Sequence, residues 1–193
     1  MATYTIDGYS VVGDLVRASV WVMDVGSGQR VGSSFVTEGH VRDPLAVTTV
    51  AGRPMAISGG SAVRVWDLLA QRPLGTPFEA HGGTRVISIA TTTLDGRAVA
   101  VTGDDDGFVR VWDPLDGTEV AAPTETSGRP ESLLDLSLDG RPAVVTGGAD
   151  RTVRMWDLDS GRHLHGRICP ARCRMSPSRR AAGWSSRSVT TSP

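Results

Sequence analysis

The chain has 193 residues, with 20 basic and 21 acidic side chains, a formal net charge of -1, two cysteines, and no lysine or asparagine. The missing lysine excludes a P-loop lysine, a Schiff-base lysine and an ammonium clamp for phosphate, and no apolar run reaches the roughly 18 residues a transmembrane helix needs. The charge is split: residues 1–166 hold every acid and 14 arginines, net -7, whereas residues 167–193 hold 6 arginines and no acid, net +6.

The first ten residues, MATYTIDGYS, have neither a basic start nor an apolar stretch, so no secretory signal is expected. SVWVMD (19–24) reads as a strand, and GSGQRVG (26–32) follows it. That glycine-rich segment leads into another strand rather than a helix. It therefore lacks the helix N-terminus a phosphate loop requires, and a hairpin turn is expected. Three longer segments then align: GRPMAISGGSAVRVWD (52–67), GRAVAVTGDDDGFVRVWD (96–113) and GRPAVVTGGADRTVRMWD (140–157). Gly52, Gly96 and Gly140 are 44 residues apart, as are Gly59, Gly103 and Gly147. Counting back by the same period from Gly52 reaches Gly8, inside a degenerate first copy. Within a copy the apolar residues alternate at period two, which predicts short strands, and the bounding Gly, Asp and Pro predict turns. The third copy is expected to have strands near 86–90, 98–102, 109–112 and 119–122, with turns at 95–97, 104–107 and 114–117. No segment shows an amphipathic helix, so the chain reads as all-β. The repeat pattern stops after Gly166.

Three Val-Arg-x-Trp-Asp segments in matched phase, preceded by Glu38-Gly39-His40 and Glu79-Ala80-His81, resemble the WD-repeat β-propeller family over about residues 2–166, in a bacterial-type and partial form. The resemblance implies blades of four antiparallel strands at approximately 1–38, 39–81, 82–126 and 127–166, followed by an Arg/Ser/Pro-rich tail at 167–193. Propellers close with about four to eight blades. Four blades of this kind are expected to leave an open arc, which implies a piece of a longer protein, self-association through the open ends, or poor stability.

The same resemblance implies a structural hydrogen-bond network of His81, Thr102, Asp106 and Trp112. The fourth unit retains Thr146, Asp150 and Trp156 without a histidine. The second retains His40, Ser58 and Trp66 without the aspartate, and the first has Met23 where Trp is expected. A hydroxyl, an imidazole and a carboxylate also suggest a hydrolase. No G-x-S-x-G, H-E-x-x-H or G-x-G-x-x-G supports one. Asp104-Asp105-Asp106-Gly107 places carboxylates consecutively, whereas hard cations take ligands at alternating positions. A solvated turn is expected there. His163, His165, Cys169 and Cys173 supply four zinc-type ligands, but not at the spacing of a finger or ribbon, and His163 and His165 are expected on one face of a last strand. No metal, cofactor or catalytic residue is expected.

The presumed innermost strands (45–50, 86–91, 133–138) carry one charged residue, Asp135, which disfavours an active site in a channel. The resemblance implies a rigid, non-catalytic platform binding other proteins through loops such as 81–85, 104–107 and 128–131. The alternatives are a truncated or decayed reading frame without independent function and, behind it, a propeller enzyme. The basic tail reads as frame-shifted sequence, as plain disorder or, least favoured, as a nucleic-acid contact. With both cysteines in that tail and no disulfide framework, a cytoplasmic protein without membrane contact is expected.

Overall fold

The computed structural model describes residues 2–6, 9–14, 19–24, 26–36 and 43–168. They form sixteen strands in four sheets. The first sheet holds β1 (Ala2–Ile6), β2 (Tyr9–Asp14), β3 (Ser19–Asp24) and β4 (Arg30–Val36). The second holds β5 (Leu45–Val50), β6 (Arg53–Ser58), β7 (Val63–Asp67) and β8 (Arg72–Phe78). The third holds β9 (Val86–Leu94), β10 (Arg97–Asp104), β11 (Phe108–Trp112) and β12 (Glu119–Glu125). The fourth holds β13 (Pro130–Leu138), β14 (Arg141–Gly148), β15 (Thr152–Asp157) and β16 (His163–Ile168). Every sheet is an antiparallel meander in chain order. No helix occurs among the described residues.

Turn chemistry fixes the register. The first two strands of the second, third and fourth sheets are joined by two-residue turns, Ala51-Gly52, Asp95-Gly96 and Asp139-Gly140, with positive φ at both positions. This is the primed hairpin turn whose twist matches that of the flanking strands. Val50 pairs with Arg53, Leu94 with Arg97 and Leu138 with Arg141 across these turns.

Because side chains alternate sides along a strand, each sheet has a back face toward the preceding sheet and a forward face toward the following one. Val22 packs with Leu45, Ala56, Trp66 and Leu68 between the first two sheets. Met55, Ile57, Val63 and Val65 meet Ile89, Ala100 and Trp112 between the second and third. Val99, Val101, Val109 and Val111 meet Leu133, Val144 and Trp156 between the third and fourth. Fully burying one such side chain stabilises by about 1.5–3 kcal/mol. The first strand of each sheet packs against that of the next, β1 on β5, β5 on β9 and β9 on β13. Hydroxyls bind the last two pairs: Thr91 Oγ1 donates to the Val47 carbonyl at 2.7 Å and Ser88 Oγ to the Pro130 carbonyl at 2.5 Å. Among the described residues no comparable contact runs from β13 back to β1, so the four blades form an open arc.

One detail of the last blade departs from expectation. A bulge in the β15–β16 ladder pairs His163 with Trp156 and His165 with Met155. These two β15 neighbours face opposite sides, so the strand does not bring the two imidazoles together. His163 instead meets the Trp156 indole edge-on, with ring centres 4.9 Å apart. Cys169 and Cys173 lie outside the described residues.

Candidate functional site

The buried polar cluster of the third blade starts on β10. Thr102 and Asp104 are two residues apart on this strand and so share a face. The Trp112 indole Nε1–H donates to Thr102 Oγ1 at 2.8 Å, and Thr102 Oγ1 lies 2.8 Å from His81 Nε2. His81 Nδ1 lies 2.6 Å from Asp104 Oδ2, and Asp104 Oδ1 accepts the Phe108 backbone N–H at 2.8 Å. Burial pushes the His81 imidazole below its usual pKa, against the pull of Asp104. The neutral ring thus carries its proton on Nδ1, facing the carboxylate, and accepts the threonine hydroxyl proton at Nε2.

The carboxylate of this cluster is therefore Asp104, not Asp106. Asp106 lies beyond the end of β10, exposed in the turn, and accepts a hydrogen bond from Thr84 Oγ1 at 2.9 Å. The sequence selects between adjacent aspartates only if the strand end is known. Strand alternation, which places positions 102 and 104 together, is the signal that could have found it.

The other units keep parts of the arrangement. Trp156 Nε1 donates to Thr146 Oγ1 at 3.0 Å, but Asp150 takes no part. Burial acts to raise the Asp150 pKa, and hydrogen bonds from Thr152 and Arg154 outweigh it and hold the carboxylate below its usual range. Gly148 stands where the third unit has Asp104, and Gly60 does so in the second. Trp66 Nε1 donates to Ser58 Oγ at 3.2 Å. His40 lies outside the described residues.

Sequence reasoning missed the role of the aspartate that ends each third strand or, as Asp113 does, directly follows it. Asp67 Oδ1 accepts backbone N–H groups from Leu69 and Ala70 at 3.0 and 2.8 Å, and Asp113 Oδ1 accepts that of Leu115 at 2.9 Å. Asp157 Oδ1 accepts both the N–H and the hydroxyl of Ser160 at 2.8 Å, and Asp24 Oδ1 does the same with Ser27 at 2.7 and 2.6 Å. Each carboxylate pins the turn that leads to the outer strand.

Neither cluster has the layout of a reacting centre. Thr102 is fully buried, and its hydroxyl is engaged by both Trp112 and His81. A cavity of about 680 Å³ on the hairpin side is lined by Thr91, Thr93, Asp135, Ser137 and Arg141, with no imidazole or thiol among its walls. Among the described residues no three His, Cys, Asp or Glu side chains group as metal ligands.

On the side opposite those hairpins, the loops at 81–85, 104–107 and 128–131 form one continuous surface. The Asp105 N–H donates to the Arg85 carbonyl at 3.1 Å, and Arg129 forms an ion pair with Asp105. The Gly107 carbonyl accepts from both the N–H and the hydroxyl of Thr126, at 2.8 and 2.7 Å, and the same hydroxyl lies 2.7 Å from the Gly128 carbonyl. Arg85 extends the surface toward the second blade through an ion pair with Asp43 at 2.6 Å.

Residues 71–113 and 130–157 match the family model described as WD domain, G-beta repeat. These two segments are WD repeats. The first matched segment runs from the turn before β8 through β11, so one sequence repeat joins the outer strand of one blade to the three inner strands of the next. The WD repeat-containing protein RUP1 of Arabidopsis thaliana is 31% identical over 88 residues, a stretch covering 42% of this chain and 23% of that protein. The chain thus matches less than a quarter of that relative's length.

Proposed function

We propose that this WD-repeat chain is a non-catalytic scaffold or regulatory platform that binds other proteins through the face carrying loops 81–85, 104–107 and 128–131. The carrying observation is the attachment of the 104–107 turn to both neighbouring loops, through the Arg85 carbonyl, the Thr84 hydroxyl and the Arg129 guanidinium. Loops already fixed to one another have little conformational freedom left to lose on binding. In this reading the blades 1–38, 39–81, 82–126 and 127–166 are the rigid unit, and residues 167–193 are a separate basic tail.

The test is affinity capture with the full chain against two surface variants, Asp106→Arg and Arg129→Glu, each checked for an unchanged circular dichroism spectrum. Partners held by the wild type are expected to be lost from both variants. An unchanged partner set in correctly folded variants overturns the assignment of this face.

A further inference from the structure

The forward faces of successive blades are built from positions related by the repeat. They are Ala46, Met55, Ile57, Val63 and Val65 in the second blade and Ala90, Val99, Val101, Val109 and Val111 in the third. All ten are buried by the blade that follows. The corresponding residues of the fourth blade are Leu134, Ala143, Val145, Val153 and Met155. Ala143 is buried, but Leu134, Val145, Val153 and Met155 are only half-buried. This face has not turned polar, as the outer face of a terminal repeat does when it meets water. It is bulkier, with Leu134 in place of Ala90 and Met155 in place of Val111.

The opposite end of the arc is the counterpart. Val22 faces the second blade, so Trp21 and Met23, its neighbours on β3, point to the back face of the first blade. Both are half-buried, and the Arg30 guanidinium lies 4.7 Å from the Trp21 ring centre. In the other three blades this face carries Trp66, Trp112 and Trp156, each buried against the preceding blade.

We propose that two copies of this chain associate head to tail, the Val145, Val153 and Met155 face of each covering the Trp21 and Met23 face of the other. The proposal rests on the open arc of the fold and is independent of the loop face. The occupant is a second copy because forward-on-back packing is the contact already made three times within the chain. A two-fold axis makes both new contacts at once and closes the assembly. Eight blades fall within the sizes at which propellers close, about four to eight.

Light scattering coupled to gel filtration on the full chain is the test. The expected mass is twice the 20.4 kDa of one chain. Val153→Arg disrupts the forward surface and Met23→Arg the back surface, so each variant alone is expected to be monomeric with an unchanged circular dichroism spectrum. Mixed, they are expected to form a dimer, because the first keeps its back face and the second its forward face. A wild-type monomer at tens of micromolar overturns the proposal. So does a Met23→Arg variant that stays dimeric, which means forward face on forward face, and so does a mass that keeps growing with concentration. If one variant fails to fold, the wild-type mass still decides. Asp106→Arg is expected to leave the dimer intact, so failure of the loop-face assignment and failure of this one are separable.

Discussion

Replacing Asp104 or Asp106 by alanine separates the two carboxylates that the sequence sets side by side. Asp104→Ala leaves the buried His81 Nδ1–H and the Phe108 N–H without their acceptor. An orphaned buried polar group costs about 1–3 kcal/mol. With the Phe108 N–H half-buried and partly recoverable by water, the total is about 2–4 kcal/mol. Asp106→Ala removes one exposed bond, from Thr84, and surface changes of that kind stay within about 0.5 kcal/mol. In urea, with a slope of about 2 kcal/mol per molar, the Asp104 variant is expected to unfold at a midpoint lower by about 1–2 M. The midpoint of the Asp106 variant is expected to stay within about 0.3 M of wild type. If Asp106→Ala lowers the midpoint as much as Asp104→Ala does, the chain of bonds from Trp112 to Asp104 is not what holds the third blade to the loop before it.

Two further outcomes follow from the same region. The folded-state pKa of His81 lies below its unfolded value, so the unfolded chain binds the extra proton first as pH falls. The His81 contribution is fully present above about pH 6.5, the ordinary histidine value, and is lost as pH falls toward the lowered folded value. The urea midpoint is expected to drop between pH 7.5 and 5.5, with a smaller drop in His81→Gln. At Gly103 a Cβ would lie 2.6 Å from Ser88 Oγ within the third blade and 2.6 Å from Pro130 Cγ across the seam to the fourth. Gly103→Ala is expected to cost about 1–3 kcal/mol in the same assay, the range for overpacking, whereas Gly96→Ala, which meets nothing within 4 Å, tests backbone strain alone.

The fold was legible because its signals are local and repeated. Asp-Gly at 95–96 and 139–140 specified hairpins, and the alternating valines of 98–103 and 108–113 specified short strands. The bulge that separates His163 from His165 was not legible. It depends on how β16 pairs with β15, and nothing in HLHGRI marks an extra residue. The choice of Asp104 over Asp106 was missed for a related reason. The three aspartates are chemically equal, and only the exact end of β10 decides which of them shares a face with Thr102.

The loop before the fourth blade shows how one anchor can replace another. In the third unit His81 ties the incoming loop to the blade through Thr102 and Asp104. In the fourth unit the matching position is Glu125, and sequence comparison reads this as a lost network. The next residue, Thr126, is buried, and its hydroxyl bridges the Gly107 carbonyl of the third blade and the Gly128 carbonyl of its own loop. The anchor has moved from a bond within the blade to a bond between blades. The 128–131 loop is thereby tied to the 104–107 turn rather than to the fourth blade's own core. Loosening Thr126 should disturb the proposed interaction face more than the fold of the fourth blade, whereas loosening His81 should disturb both.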